Sequence, residues 1–375
     1  MATFPENHFQ GGCYDEKTPY SRPRPRMVDP PLRLSGQCRH RRRLPGRLRF
    51  PVCVPGGDRR GAGSDLAAMT LSLIPGTANP ALAEAIVGRL GMTATTCRIE
   101  AFPDDELQVR IGHSLAGSDV YIVQSTGPPV GRNLLELLLI ADAARRAGAM
   151  RVTAVVPYFG YARQDRRTDT GEPVGAKVLA DMIATRADQM ITVHLHNPAI
   201  EGFFSLPVEH LLPTRLIAGR LKEIVSGDAV LVAPDLGAVK LAQRYADDLD
   251  LPVAYVHKER VSGERVAVRR IIGEIADRSP IVVDDMISTG RTLISTIEAL
   301  GERGCRLPAT VAVTHALPVE GAVARLMSHP VGSIIATNSL VQTPERPAAM
   351  EILDLAPLIA EAIRRRHEKT SAAGH

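Results

Sequence analysis

Short apolar runs rich in Val and Ile alternate with longer stretches of helical periodicity from residue 70 onward. The runs with strand character span residues 71–76, 119–126, 151–158, 190–196, 229–235, 252–258, 280–286, 309–315 and 331–338. Strands that alternate with helices form βαβ units, in which parallel strands build a sheet and helices cover its faces. The pattern therefore predicts an α/β fold. A composition with 45% apolar residues, 4% aromatics and no Trp agrees with a core of Ala, Val, Leu and Ile.

The length of the chain limits the number of domains that it can form. Its 375 residues suffice for about two domains, and the number of βαβ units fits two similar halves. We place the boundary near residue 214, after the segment HLLPT. The expected organisation is an N-terminal domain at 70–214, a C-terminal domain at 215–366 and a short tail at 367–375.

The first 68 residues differ from the rest in charge and pattern. They carry 13 Lys and Arg against 6 Asp and Glu, nine prolines and no sustained helical or strand period. Such a segment is typical of disorder, and we expect Met69 to be the physiological start. A nucleic-acid-binding or membrane-binding arm is the alternative reading of the Arg clusters at 22–26 and 39–43. Because no aromatics interleave for base stacking, we expect no nucleic-acid partner.

The cysteines and the apolar runs indicate the compartment. The five cysteines are widely scattered, without a CxxC pair or zinc spacing, which is typical of reduced thiols in a reducing compartment. No apolar run is long enough to span a bilayer, and there is no secretory start. We therefore expect a cytoplasmic protein with no membrane partner.

The string IVVDDMISTGRTL at 281–293 carries the first chemical motif. Asp284 and Asp285 end an apolar strand, and a turn of small residues leads into a helix at Thr292. Free N–H groups and the positive end of a helix dipole make such a turn an anion cradle. The two carboxylates suit ribose hydroxyls or a Mg²⁺ that bridges to phosphate oxygens. The string resembles the ribose 5-phosphate and PRPP binding loop of the type I phosphoribosyltransferase fold, which houses both transferases and PRPP synthetases. By that resemblance the sugar-phosphate ligands are Asp284, Asp285, Ser288, Thr289, Gly290, Arg291 and Thr292.

A second string, VVPYFGYARQDRR at 155–167, chooses between these two kinds of enzyme. Its arginines are planar donors that bind phosphate in a bidentate manner, and its aromatics can pack against a base or fix the loop. The string resembles the ATP-binding signature of ribose-phosphate pyrophosphokinase (PRPP synthetase), which transferases of the same fold lack. The resemblance assigns Arg163, Gln164 and Arg166 to ATP.

Two further segments follow in the order of that family. AFPDDELQVRI at 101–111 resembles an acidic element that meets the adenosine of ATP across a dimer interface, with Asp104 and Glu106 in the matching places and Asp105 where Gly is usual. Taken alone, this turn is typical of a solvated loop. ITVHLHNPAIEGFF at 191–204 resembles the segment whose histidine lies at the ATP and magnesium. His196 matches that histidine, while His194 replaces the usual Asp.

The remaining two segments carry the magnesium loop and a mobile arm. VAPDLGAVKLA at 232–242 resembles the loop that holds magnesium and pyrophosphate, with Asp235 retained and Ala238 in place of a Gly. The segment at 254–271 resembles the catalytic arm, in which Lys258 and Arg260 match two cations that close over the transferring phosphoryl group. Glu259 departs from the middle Arg. Two such cations can neutralise charge that grows in the transition state.

The resemblance covers roughly residues 70–366. It implies two Rossmann-like domains of the phosphoribosyltransferase type, each a mainly parallel sheet flanked by helices. It also implies the reaction of ATP with ribose 5-phosphate to give PRPP and AMP, Mg²⁺ as cofactor at His196 and Asp235, and a homo-oligomer that is at least a dimer. Two alternatives stay open: a catalytically inactive regulatory paralogue, and a phosphoribosyltransferase that consumes PRPP. Ser288 and Arg291 also depart from the residues that common bacterial members carry.

Overall fold

The computed structural model of the chain describes residues 69–262, 265–342 and 346–373, and within these ranges the side chains of 258–269 and 369–373 are not described. The predicted extension at 1–68 lies outside the described residues. None of the helices in the described ranges combines the length and the apolar character that a membrane crossing requires.

A five-stranded parallel sheet forms the first half of the described chain. Its order is β1–β4–β5–β6–β7, and its strands are β1 (Thr70–Pro75), β4 (Ser118–Val123), β5 (Arg151–Val156), β6 (Gln189–Val193) and β7 (Val208–Leu211). Alternate residues of β4 enter opposite cores, with Val120 and Ile122 on one face and Tyr121 and Val123 on the other. Burial on both faces explains why these strands are continuous apolar runs.

A seven-stranded sheet forms the second half. Its order is β10–β9–β8–β11–β12–β13–β14, and its strands are β8 (Ala229–Ala233), β9 (Val253–Ser262), β10 (Arg265–Ile272), β11 (Ser279–Ile287), β12 (Ala309–Ala316), β13 (Val331–Thr337) and β14 (Met350–Leu353). Only β10 runs antiparallel to its neighbour, β9, among the described strands of this sheet. All nine strands predicted from the sequence are confirmed, as is the α/β class. The short strands β7 and β14 and the antiparallel strand β10 were not predicted.

Eight α-helices of the described ranges connect and cover the sheets. They are α1 (Pro80–Leu90), α2 (Val130–Arg146), α3 (Gly175–Ala184), α4 (Thr214–Ile224), α5 (Val239–Leu249), α6 (Arg291–Glu302), α7 (Ala322–Met327) and α8 (Ala356–Ala373). The ends of α1 follow its sequence. The Asn79 side chain accepts a hydrogen bond from Leu82 N, Pro80 takes the first position, and Gly91 ends the helix in the left-handed region with φ +67°.

Helix α8 follows the second sheet in the chain but packs against the first. Its buried Ile359 and Ile363 share a core with Leu73, Leu82 and Tyr121 of the first half. The sequence places α8 with the second half, because an apolar helix face does not specify which sheet it covers. The domain boundary near residue 214 stays a prediction. Helix α8 lies after that boundary in the chain but packs against the sheet before it.

A small antiparallel hairpin stands apart from the two sheets. It consists of β2 (Cys97–Ala101) and β3 (Leu107–Ile111). Its apolar side chains, among them Ile99 and Val109, pack on the core beneath α2. The turn of this hairpin carries the acidic segment that the sequence assigned to ATP.

Candidate active site

The turn between β11 and α6 has the geometry of an anion cradle. Strand β11 runs on to Ile287, and α6 begins at Arg291, one residue earlier than predicted. Gly290 takes φ +77°, and a Cβ there would lie 3.4 Å from the Ala322 carbonyl oxygen. That distance is an ordinary van der Waals contact, so it is the positive φ that favours glycine at this position. Helix α6 has twelve residues and no side-chain cap. The first N–H groups of a helix lack an intrahelical acceptor, which suits an anion at this end.

The adjacent carboxylates Asp284 and Asp285 lie in β11, just before the turn. Asp285 is 8% exposed, and its Oδ2 accepts a hydrogen bond from His196 Nδ1 at 2.7 Å. Burial alone would raise the pKa of Asp285, but the hydrogen bond from His196 and the nearby imidazoles outweigh it and lower this pKa below its usual value. The same bond raises the pKa of His196. The structure thus brings together two predicted ligands from different halves of the chain.

Asp284 has the opposite electrostatic environment. Burial, together with the carboxylates of Asp285 and Asp235, raises its pKa well above the usual value for an aspartate. Asp235 lies in the loop after β8, where its Oδ1 accepts hydrogen bonds from Gly237 N at 2.8 Å and Ala238 N at 3.2 Å. Three carboxylates thus lie close together, and two of them raise the pKa of the third, so a cation would balance the charge of this site.

The ATP-type motif meets the sugar-phosphate turn across the two halves. Arg163 Nη1 donates a hydrogen bond to Ser288 Oγ at 3.1 Å. Both residues line a cavity of about 470 Å³, whose walls also include Tyr158, Tyr161 and Gln164. The cavity therefore has an aromatic side and a guanidinium at one wall, and it opens onto the anion cradle.

The predicted ATP ligands Asp104, Glu106 and Arg166 are exposed in the described structure. Asp104 and Glu106 lie at the turn of the β2–β3 hairpin, where Asp104 Oδ1 accepts a hydrogen bond from Glu106 N. Arg166 is exposed in the loop after β5. Among the described contacts, the two hairpin carboxylates meet only their own turn, so the single chain does not bring them to the other candidate residues.

The predicted cations Lys258 and Arg260 belong to β9, which pairs with β10. Their side chains lie outside the described residues, as does that of Glu259. The main-chain register pairs Lys258 with Val268 and Arg260 with Val266, with bulges on either side. The predicted arm is therefore the far part of an antiparallel β-ribbon at one edge of the second sheet.

Three residues that support the site were not predicted from the sequence. Asp165, within the ATP-type motif, accepts a hydrogen bond from Asn197 Nδ2 at 2.7 Å and so joins this motif to the segment of His196. Arg325 Nη1 donates a hydrogen bond to the Thr289 carbonyl at 2.9 Å and so supports the turn before α6 from α7. Asp165 carries a signal, because it sits inside the motif. Asn197 and Arg325 are ordinary polar residues whose partners are set by the fold.

Family models match most of the described chain. The N-terminal domain of ribose phosphate pyrophosphokinase matches residues 71–186, and the phosphoribosyl transferase domain matches residues 210–326. The first segment runs from β1 to α3, and the second runs from α4 to α7. Strands β6, β13 and β14 and helix α8 lie outside both segments.

Curated relatives and a solved structure extend the match to about four fifths of the chain. A ribose-phosphate pyrophosphokinase of Caldanaerobacter subterraneus is 38% identical over 307 residues, which is 81% of this chain and 97% of the relative. One from Maricaulis maris is 40% identical over 299 residues, covering 79% and 96%. The crystal structure of a phosphoribosylpyrophosphate synthetase from Mycobacterium smegmatis superposes with a TM-score of 0.75 at 34% identity, covering 80% of this chain and 99% of that one.

Proposed function

The chain belongs to the ribose-phosphate pyrophosphokinase family, and from this premise we propose that it transfers the pyrophosphoryl group of ATP to the C1 hydroxyl of ribose 5-phosphate. The products are PRPP and AMP. The first half of the described chain supplies the donor site and the second half the acceptor site.

The observation that carries the proposal is the meeting of two motifs in one cleft. The ATP-type motif reaches the sugar-phosphate turn through Arg163 and Ser288, and His196 reaches Asp285. A nucleotide at the first motif and a sugar phosphate at the second would therefore lie side by side. Holding two reactants in this way supplies a large part of the rate acceleration in phosphoryl-type transfer.

The chemistry needs little covalent participation by the protein. The sugar oxygen on C1 forms a bond to the β-phosphorus of ATP, the bond from that phosphorus to the oxygen of AMP breaks, and the hydroxyl proton is released. In our assignment Asp284 and Asp285 bind the ribose hydroxyls, and residues 288–292 bind the 5-phosphate. Arg163, Gln164 and Arg166 bind ATP. Lys258 and Arg260 stabilise the charge that develops on the transferring group.

The residues present fit a magnesium ion. Mg²⁺ in such sites uses one or two carboxylates and completes its shell with water and substrate phosphates. Such a site does not need three protein ligands, and no group of three is found among the described residues. Asp235 lies close enough to Asp284 to raise the pKa of Asp284. His196 donates its Nδ1–H to a carboxylate, which leaves Nε2 for a metal. Asp235 and His196 would hold the ion, which would balance phosphate charge.

The exposed hairpin turn supports a homo-oligomer. Asp104 and Glu106 are solvent-accessible in the single chain, so in our proposal they reach the adenosine of a neighbouring copy, and the enzyme is at least a dimer. A cytoplasmic location stays a prediction from the scattered cysteines.

The test is product analysis with purified protein, ATP, Mg²⁺ and ribose 5-phosphate. We expect AMP to form in step with PRPP, and formation to stop when a chelator removes the metal. Formation of ADP, or of no product, would contradict the proposal. Omission of ribose 5-phosphate is the matched control, because an ATPase would still release phosphate without the sugar.

A further inference from the structure

The turn that follows β6 carries His196 into the candidate site. Strand β6 ends at Val193, and His194 then takes φ +43°. This left-handed conformation is uncommon for residues other than glycine. A turn of this kind persists when surrounding groups hold it in place.

Three hydrogen bonds hold the main chain of this turn. His194 N donates to the Leu211 carbonyl at 2.9 Å, and Leu195 N donates to His210 Nε2 at 2.9 Å. His315 Nε2 donates to the His194 carbonyl at 3.0 Å. Leu211 and His210 belong to β7 of the same sheet, whereas His315 belongs to β12 of the other sheet.

The ring of His315 is itself fixed on both nitrogens. A carbonyl oxygen can only accept, so Nε2 carries the hydrogen. Burial lowers the pKa of His315, and Nδ1 of the neutral ring accepts from Ser339 Oγ at 2.8 Å. The ring also packs edge-on against Tyr158, with centroids 5.0 Å apart. The residue is 1% exposed, so its orientation is set by these contacts.

The side chain of His194 is held by Thr314, the residue before His315 in β12. His194 Nδ1 and Thr314 Oγ1 are hydrogen-bonded at 2.5 Å. Burial, with the nearby His315, lowers the pKa of His194 to about 3, so the ring is neutral. The family resemblance leads us to expect an aspartate at this position, but the chain has a neutral imidazole. This imidazole is hydrogen-bonded to the hydroxyl of Thr314 in the second sheet.

We propose that His315, together with Thr314, is a positioning residue for His196. The two residues hold His194 by its carbonyl and its ring, and so fix the turn that aims His196 at Asp285 across the cleft. The consequence for catalysis rests on the proposed function, because it uses the roles given to His196 and Asp285. The positioning itself is a property of the free protein.

The first test follows the His196 ring by ¹⁵N NMR in the full chain without substrate, with its signals assigned from a His196→Ala variant. We expect Thr314→Val, which removes one hydroxyl at constant shape, to shift the His196 ring signals. Thr310→Val is the matched control, because Thr310 lies on the same strand and its hydroxyl bonds only Ser333 among the described contacts. His315→Leu should shift the signals further. Unchanged His196 signals in Thr314→Val would overturn the proposal even if His315→Leu did not fold.

The second test is a double-mutant cycle on AMP formation. We expect His315→Leu to lower kcat at least about tenfold in the wild-type background and to have no further effect in a His196→Ala background. His315→Gln keeps an N–H donor near the His194 carbonyl and should restore most of the activity. Equal losses in both backgrounds would mean that His315 supports the fold in general, and would overturn the proposal. If the wild-type chain formed no AMP, the proposed function would fail while the NMR test still decided the positioning.

Discussion

His196 Nδ1 lies 2.7 Å from Asp285 Oδ2, and this hydrogen bond joins the turn after β6 of the first sheet to β11 of the second. The bond spans 89 residues of sequence. It connects a residue that we assign to ATP and magnesium with one that we assign to ribose, so the two proposed substrate sites share a contact in the free protein.

Replacement of Asp285 by Asn tests this shared contact. The carboxylate raises the pKa of His196, so Asp285→Asn should lower that pKa, as measured by NMR titration. Loss of a hydrogen bond to a charged group costs about 1.5–3 kcal/mol, which predicts roughly a tenfold to hundredfold weaker binding of ribose 5-phosphate.

Asp277→Asn is the matched control, because Asp277 is exposed and its φ of +58° is tolerated by Asn. This variant should bind ribose 5-phosphate like the wild type. A normal His196 pKa in Asp285→Asn would show that the hydrogen bond does not form in solution.

The contact between Arg163 and Ser288 predicts coupling between the two proposed substrate sites. Ser288→Ala removes the acceptor that holds the guanidinium, and a hydrogen bond of this kind is worth about 0.5–1.5 kcal/mol. We expect a non-hydrolysable ATP analogue to bind about two- to tenfold more weakly in calorimetry. Ser288→Thr keeps the hydroxyl and should bind like the wild type.

In an Arg163→Ala background, Ser288→Ala should have no further effect on binding of the ATP analogue. If instead Ser288→Ala weakened only ribose 5-phosphate binding, the hydroxyl would act on the sugar phosphate and not on Arg163.

Lys258 is the residue whose removal should separate turnover from binding. If its ammonium stabilises charge that develops in the transition state, Lys258→Ala should lower kcat about 10²–10³-fold, or roughly 3–4 kcal/mol. The affinity for an ATP analogue should stay within a few-fold of the wild type. Lys222→Ala, at an exposed position of α4, is the control. Normal turnover in Lys258→Ala would place the catalytic cations elsewhere.

His210 predicts a loss of stability in acid. Burial lowers its pKa in the folded chain, and its Nε2 accepts a hydrogen bond from Leu195 N that protonation would break. In the unfolded chain a histidine titrates near pH 6.5, so below that pH the unfolded state binds more protons than the folded state. The contribution of His210 therefore lowers stability as pH falls from about 7 to 5, by up to about 1.4 kcal/mol per pH unit.

The measurement is the free energy of unfolding in urea at several pH values. His210→Gln keeps an acceptor for Leu195 N but does not titrate, so its stability should fall less steeply with acid than that of the wild type. The other buried histidines are present in both proteins and cancel in the comparison. Parallel curves for the two proteins would mean that His210 is protonated to the same extent in the folded and unfolded states.

The parts of the fold and site that could be predicted are those with local signals. Asp284 to Thr292 are contiguous, so one string specified both the strand and the turn that follows it. The nine apolar strands were likewise visible, because burial on both faces leaves continuous runs of Val, Ile, Leu and Ala.

The missed parts depend on contacts between distant residues. His315 and His194 are 121 residues apart. No local sequence pattern predicts that the imidazole of His315 donates a hydrogen bond to the main-chain carbonyl of His194. Strand β7 has the sequence VEHL and is only partly buried, so it lacks the apolar run of a central strand. Helix α8 shows an apolar face, but only the tertiary fold decides that it packs against the first sheet.

The most direct test of the account is a ³¹P NMR spectrum of the wild-type chain reacting with magnesium, ATP and ribose 5-phosphate. We expect the β- and γ-phosphorus signals of ATP to disappear together and to reappear as a diphosphate on the sugar, with one AMP formed for each. Appearance of ADP with a singly phosphorylated C1, or of free phosphate, would contradict transfer of the pyrophosphoryl group.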